Sequence, residues 1–146
     1  RQTTFDGTGA WTVGAAIAPL VAPEAVAVGG LTMGADPVAL ATAIVSTQSG
    51  RPLSAFSIRK TEKEHGTGGR VVGPVASGDA VCLVEDTTTT GGAFLEALDA
   101  ALHAGLHVIQ AICLFDRSEG IVANAMASHH IPYQAVLQPA DLGVEP

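Results

Sequence analysis

Positive charge is scarce in this chain: seven Lys and Arg face fourteen Asp and Glu among 146 residues, a formal net charge of −7. A general nucleic-acid or membrane-surface binder carries the opposite balance. Only 14% of residues are charged and 4% aromatic, while 47% are hydrophobic. That apolar share excludes a disordered acidic tail and predicts a single domain, residues 1–146, with a real core. Cysteine is limited to Cys82 and Cys113, each inside an apolar run. Two thiols cannot build a disulfide scaffold, and their setting predicts buried, free side chains in a reducing cytoplasm. No CxxC pair or His/Cys set at zinc spacing occurs, and the neighbouring His129 and His130 do not share a face. Any run of about eighteen apolar residues is also missing, so no membrane span is predicted. The first residues, RQTTFDGTGA, fit neither a signal nor a transit peptide and lack an initiator Met, so a trimmed or partial chain is expected.

What is present alternates. Short β-branched runs at 26–30, 53–59, 80–85, 108–115 and 133–137 are separated by Ala-rich helical stretches. This pattern predicts an α/β domain with a doubly wound, mainly parallel five-stranded sheet flanked by helices. The runs at 80–85 and 108–115 are almost wholly apolar, as parallel strands covered on both faces are. One helix is expected over 37–48, capped by Asp36, with Pro37 in its first turn and Gly50 as its stop. A second is expected over 92–104, with Phe94, Leu95, Leu98 and Leu102 on one face, and a third over 118–128. The stretch 12–22, interrupted by Pro19, is a weaker helical pattern.

In such sheets ligands bind just beyond the carboxyl ends of the strands. Three segments fall there: 31–36, 59–70 and 85–92. Glu85 and Asp86 close an apolar strand and are followed by Thr87, Thr88, Thr89, Thr90, Gly91 and Gly92. Glycines permit a tight turn, and the N–H groups opening a helix make an anion cradle to which Thr hydroxyls add donors. Carboxylates would repel a phosphate but accept hydrogen bonds from sugar hydroxyls, so the pairing suits a ribose 5-phosphate. An ordinary capped strand–turn–helix connection is the alternative; the acidic pair favours binding. Neither GxxxxGK[ST] nor GxGxxG occurs at a strand–helix junction.

Four of the seven cations, Arg59, Lys60, Lys63 and Arg70, crowd into twelve residues without apolar periodicity. A loop of that length in a compact domain is usually functional or disordered. With His65 it can meet a highly charged anion such as a pyrophosphate; a solvated surface loop is the alternative.

These segments resemble the type I phosphoribosyltransferases, and among them the orotate phosphoribosyltransferases. Val84–Gly92 is similar to the family's phosphoribosyl-pyrophosphate motif, and Arg59-Lys60-x-x-Lys63-x-His65-Gly66 to the catalytic loop of the orotate enzymes. Gly29–Pro37 resembles the first-strand loop of one branch, and Arg117 follows a strand where the family places an orotate-contacting Arg. The likeness runs from about residue 26 to 120.

The resemblance implies that Lys63 is the main catalytic-loop lysine, with Arg59, Lys60 and His65 helping to neutralise pyrophosphate. It implies that Thr32 and Met33 lie against phosphoribosyl pyrophosphate, Glu85 and Asp86 hold its ribose, and Thr87–Gly92 with Ala93 hold its 5-phosphate. Thr89 and Arg117 would touch orotate. It further implies Mg²⁺ bound mainly through the substrate, with no direct protein ligand assigned, and a homodimer whose mobile catalytic loop reaches the neighbouring site. Two departures stand out: Met33 occupies a place where many members have lysine, and the N-terminal hood is short, with Thr4-Phe5-Asp6 as the remnant of an aromatic orotate-binding segment. A phosphoribosyltransferase for another base, or a non-catalytic nucleotide-sensing regulator on the same fold, are the alternative functions.

Overall fold

The computed structural model describes residues 2–62 and 69–144. In chain order the elements are α1 (Gln2–Phe5), α2 (Gly7–Ile17), β1 (Ala27–Leu31), α3 (Ala35–Gln48), β2 (Ser54–Ile58), β3 (Val71–Val72), β4 (Ala80–Thr88), α4 (Gly92–His103), β5 (His107–Asp116), α5 (Ile121–Ser128) and β6 (Tyr133–Leu137). The strands form one sheet of six in the order β3-β2-β1-β4-β5-β6. All neighbours are parallel except β3, which runs antiparallel to β2. The expected five strands are therefore joined by a sixth. Its two residues are too few to show a period, so the run at 71–72 reads as loop in the sequence.

Each sheet face buries its own cluster. On one, α4 and α5 lay Phe94, Leu98, Ala101, Val122 and Met126 over Leu83, Ala111 and Cys113. On the other, α2 and α3 lay Val13, Ile17, Val38 and Ala43 over Val28, Cys82 and Ile112. Burying a Phe or Leu side chain contributes about 1.5–3 kcal/mol, so these small helices are held chiefly by the sheet. Both cysteines are buried and free, as expected. No helix of the described residues is long and apolar enough to cross a membrane.

Several local expectations change. The weak pattern at 12–22 belongs to a helix that starts earlier, at Gly7, where the Asp6 carboxylate accepts from the Gly9 N–H (2.9 Å). Beyond it Pro19 sits in a short 3₁₀ turn over Ala18–Leu20. Asp36 does not cap α3: the helix begins at Ala35, and the Asp36 carboxylate instead accepts from the Thr32 hydroxyl (2.7 Å). In α4, Phe94 and Leu98 are buried while Leu95 and Leu102 are exposed, because Ala97 and Ala101 complete the inward face. The helix expected from 118 opens at Ile121, since Ser118 turns its hydroxyl to the Val122 N–H (3.2 Å).

The N-terminal helices are tied down by polar side chains from below. The Gln110 side chain accepts from the Ala22 N–H and donates to the Leu20 carbonyl, both at 2.8 Å. Arg51 donates to the carbonyls of Val21 (2.8 Å), Ala22 (2.6 Å) and Ala25 (3.1 Å).

Candidate active site

The chain moves from β1 outward to β2, then crosses back to place β4 on the other side of β1. The switch in strand order thus lies between β1 and β4, the place where open α/β sheets leave a crevice. The parallel register carries Thr32, Arg59 and the Thr loop to the same sheet edge.

β1 and β4 meet across that switch through Gly34. A Cβ built there would lie 2.6 Å from both the Glu85 and the Asp86 carboxylate oxygens, so any larger residue would displace the acidic pair. Glycine is what lets the 32–34 turn close against the acidic pair. The preceding peptide, Thr32–Met33, is cis, and the Thr32 N–H is held by the Ile58 carbonyl (2.8 Å). Met33 is 56% exposed.

β4 runs three residues further than expected, through Thr88. Burial divides the motif into two kinds of residue. Glu85 and Thr88 are buried; Asp86 is half-buried and Thr87, Thr89 and Thr90 are exposed. The Thr88 hydroxyl accepts from the Gly91 N–H (3.2 Å), so this threonine shapes the turn from inside. The Asp86 carboxylate accepts from the Thr87 N–H (2.7 Å). Gly91, in the left-handed region at φ 78°, then opens α4 without any side-chain cap. The first N–H groups of the twelve-residue helix, at Gly92 and Ala93, are left to an external acceptor.

β5 ends beside the same loop, where the Arg117 N–H donates to the Thr88 carbonyl (2.9 Å). The Arg117 side chain is exposed and makes no hydrogen bond or ion pair with the described residues. Beneath it, the Asp116 carboxylate accepts from the Ser118 N–H (2.7 Å) and from the Tyr133 hydroxyl (2.8 Å). Burial first, then Cys113 and Asp116, push the Tyr133 phenol above its ordinary value, so it stays a protonated donor. Tyr133 also stands edge-on to Phe94, ring centres 5.8 Å apart. In the sequence Asp116 enters only as the neighbour of Arg117, and Ser118 and Tyr133 carry no signal; a carboxylate two residues before a serine is the one local sign.

The cationic segment is described at its two stems. Arg59 and Arg70 face each other: the Arg59 N–H donates to the Arg70 carbonyl (2.8 Å), and Arg70 Nε donates back to the Arg59 carbonyl (2.7 Å). Arg70 also pairs with Glu96 on α4. It is therefore a stem clamp, while Arg59 and Lys60 have no side-chain partner among the described residues. Lys63, His65 and Gly66 lie outside the described residues.

Two clefts border the strand ends. One of about 490 Å³ lies between α2 and the ends of β5 and β6, lined by Thr4, Val13, Asp86, Thr87, Phe115 and Leu137. The other, about 320 Å³, is lined by Asp116, Arg117, Gly120, Gln138 and Pro139. The structure thus brings the turn that carries Thr32 and Met33 against Glu85 and Asp86 through Gly34, and separately joins Arg117 to the Thr loop.

An acidic pair and a Thr/Gly loop at the strand switch of a doubly wound sheet are the arrangement expected from the resemblance to the type I phosphoribosyltransferases. No family model matches the chain. Orotate phosphoribosyltransferase of Streptomyces avermitilis is 42% identical over 146 residues, 99% of this chain and 80% of that protein. Its Thermosynechococcus vestitus namesake is 38% identical, covering 97% and 75%. Among solved structures, the Mycobacterium tuberculosis H37Rv enzyme in complex with 5-phospho-alpha-D-ribosyl 1-diphosphate superposes with a TM-score of 0.84 at 35% identity, covering 97% of this chain and 80% of that one. The chain belongs to the orotate phosphoribosyltransferase family.

Proposed function

We propose that residues 1–146 act as one phosphoribosyltransferase domain that moves the 5-phosphoribosyl group from phosphoribosyl pyrophosphate to a ring nitrogen of orotate. The products are orotidine 5′-phosphate and pyrophosphate, a step of pyrimidine nucleotide synthesis. The observation that carries the reading is the contact of the 32–34 turn with Glu85 and Asp86 at the strand switch, in a chain of this family.

In this reading the uncapped start of α4, with Thr87, Thr89, Thr90, Gly91, Gly92 and Ala93, takes the 5-phosphate, and Thr88 holds the turn in shape. Glu85 and Asp86 accept hydrogen bonds from the ribose hydroxyls, which fixes the sugar with its anomeric carbon toward the cationic stems. Arg117, aided by Thr89, pairs with the orotate carboxylate, for which a guanidinium fork is well matched. Arg59, Lys60, Lys63 and His65 neutralise the leaving pyrophosphate. Charge grows on that group as the glycosidic bond breaks, so fixed cations stabilise the transition state more than the ground state. Thr32 supplies the 32–34 turn that borders the pyrophosphate, and Met33 there adds no charge.

No group of three His, Cys, Asp or Glu is gathered for a metal among the described residues. Two carboxylates beside a phosphate site, Glu85 and Asp86, would suit Mg²⁺ held mainly by substrate oxygens and water. When bound, Mg²⁺ adds positive charge to the pyrophosphate.

A homodimer sharing the Arg59–Arg70 loop between sites is part of the same proposal. Leu40 and Ile44, one turn apart on α3, are exposed together with Val72 and Trp11. Asp36, beside Leu40, keeps one buried carboxylate oxygen without a hydrogen-bond partner among the described residues. An apolar face with an unmet acceptor suits a second copy of the chain. The two buried free thiols suit the cytoplasm.

The test is direct. Protein, orotate, phosphoribosyl pyrophosphate and Mg²⁺ are mixed and orotate absorbance is followed. Loss of orotate absorbance is expected, and its absence from a folded protein would overturn the reading.

A further inference from the structure

The Arg117 guanidinium has no partner among the described residues, yet its backbone is held from three sides. Its own N–H is bound to the Thr88 carbonyl at 2.9 Å. The residue before it, Asp116, is 4% exposed and reaches over Arg117 to the Ser118 N–H at 2.7 Å. Ser118 is 1% exposed and turns its hydroxyl to the Val122 N–H at 3.2 Å, joining the turn to the first residues of α5. An aspartate that binds the N–H two residues on folds the intervening residue into an Asx turn. Its remaining oxygen then decides whether that carboxylate can rotate. Here the oxygen is taken by the Tyr133 hydroxyl at 2.8 Å, and the Tyr133 ring is held edge-on by Phe94.

We propose that Asp116 and Tyr133 are positioning residues for orotate: they lock the turn that presents Arg117 to the substrate carboxylate. This rests on the reading of Arg117 as the orotate contact. A guanidinium that must meet a planar carboxylate with two parallel bonds tolerates little displacement of its backbone. The Arg117 N–H bond to the Thr88 carbonyl sets this turn beside the Thr loop, whose own shape is kept by the Thr88 hydroxyl and the Gly91 N–H and does not depend on Tyr133. Neither residue touches substrate in this scheme.

Tyr133→Phe removes the hydroxyl and keeps the ring against Phe94. One hydrogen bond to a carboxylate is lost, so orotate KM is expected to rise about fivefold to tenfold. The kcat and the KM for phosphoribosyl pyrophosphate are expected to hold, the mark of lost ground-state alignment. Asp116→Asn keeps an acceptor for Ser118 and a polar partner for Tyr133, so it is expected to preserve orotate KM, whereas Asp116→Ala raises it. In an Arg117→Ala background the Tyr133→Phe change is expected to have no further effect on orotate KM.

The outcomes separate. A raised orotate KM in Arg117→Ala beside an unchanged one in Tyr133→Phe and Asp116→Ala overturns the positioning role alone. Additive effects of Tyr133→Phe and Arg117→Ala overturn it as well, since the tyrosine then acts elsewhere. An Arg117→Ala protein with unchanged orotate KM removes the reading on which the proposal rests, and the proposal with it. A Tyr133→Phe protein that fails to fold leaves the Asp116→Asn and Asp116→Ala pair to decide: equal orotate KM values in the two would overturn the lock.

Discussion

At the scale of single residues, the described cations fall into two groups. Arg51 is engaged by three backbone carbonyls and Arg70 by Glu96 and the Arg59 carbonyl. Arg59, Lys60 and Arg117 have no side-chain partner among the described residues, and these are the ones the proposed reaction employs. Substitution should separate the two groups. Arg51→Ala takes the guanidinium from three half-buried carbonyls, of which Ala22 keeps the Ala25 N–H, and is expected to cost about 2 kcal/mol or more in a urea titration, with kcat little changed. Lys63→Ala is expected to leave that titration alone and lower the single-turnover rate on the order of 10²–10³, the scale of losing one charge-stabilising contact. An unchanged chemical step would remove Lys63 from the mechanism. The thiols give a pH signature. Burial pushes both Cys82 and Cys113 up to about 12 from 9.0. Above pH 9 the unfolded chain releases these protons while the folded one retains them, so stability is full below that pH and falls as pH rises toward 12. The slope is about 1.4 kcal/mol per thiol per pH unit. Urea midpoints should therefore drop between pH 9 and 10.5, and the drop should shrink in Cys82→Ala. An equal drop in that variant would exclude Cys82 as its source.

At the scale of elements, the strands were the most legible part. The runs 26–30, 53–59, 80–85, 108–115 and 133–137 all become parallel strands, and the two almost wholly apolar ones, 80–85 and 108–115, lie side by side under helices on both faces. What escaped depends on partners distant in sequence. The strand Val71–Val72 exists because Ile58 and Ser57 are there to pair with it. Asp36 is drawn from the cap position by the Thr32 hydroxyl, and Tyr133 acquires a partner only when β6 lies beside β5. The motif residues 85–92 were legible because their chemistry is local; the lock beneath Arg117 was not, because it is assembled from two strands. Gly14 belongs to the same class. Nothing in the α2 sequence demands a glycine there, yet a Cβ would collide with the Ala41 carbonyl on α3. Gly14→Ala improves helix propensity by about 1 kcal/mol but forces α2 away from α3, and overpacking of this kind costs about 1–3 kcal/mol. Net destabilisation is expected in thermal melts, growing from Ala to Val. A melting temperature raised by Gly14→Ala would show that the two helices can part freely.

At the scale of the whole molecule, the proposed dimer makes each site from two chains, and that has a consequence no single-chain enzyme shares. Suppose the Lys63 loop of one protomer serves the Arg117 site of its partner. Protomers carrying Lys63→Ala have a dead loop and an intact Arg117; protomers carrying Arg117→Ala have the reverse. In a mixed dimer, one site receives both lesions and the other receives neither. Two nearly inactive proteins, unfolded together and refolded at equal concentration, should then regain about a quarter of the wild-type rate, since half the dimers are mixed and one of their two sites is whole. If each loop serves its own chain, every site in every dimer carries one lesion and nothing is regained. The exposed α3 face gives the control. Leu40→Glu with Ile44→Glu places charge where two apolar surfaces would meet, and should shift the protein to monomer in sedimentation while abolishing the complementation. Recovery that survives in a monomeric double mutant would detach activity from this face. Absence of recovery in an intact dimer would place each loop over its own site.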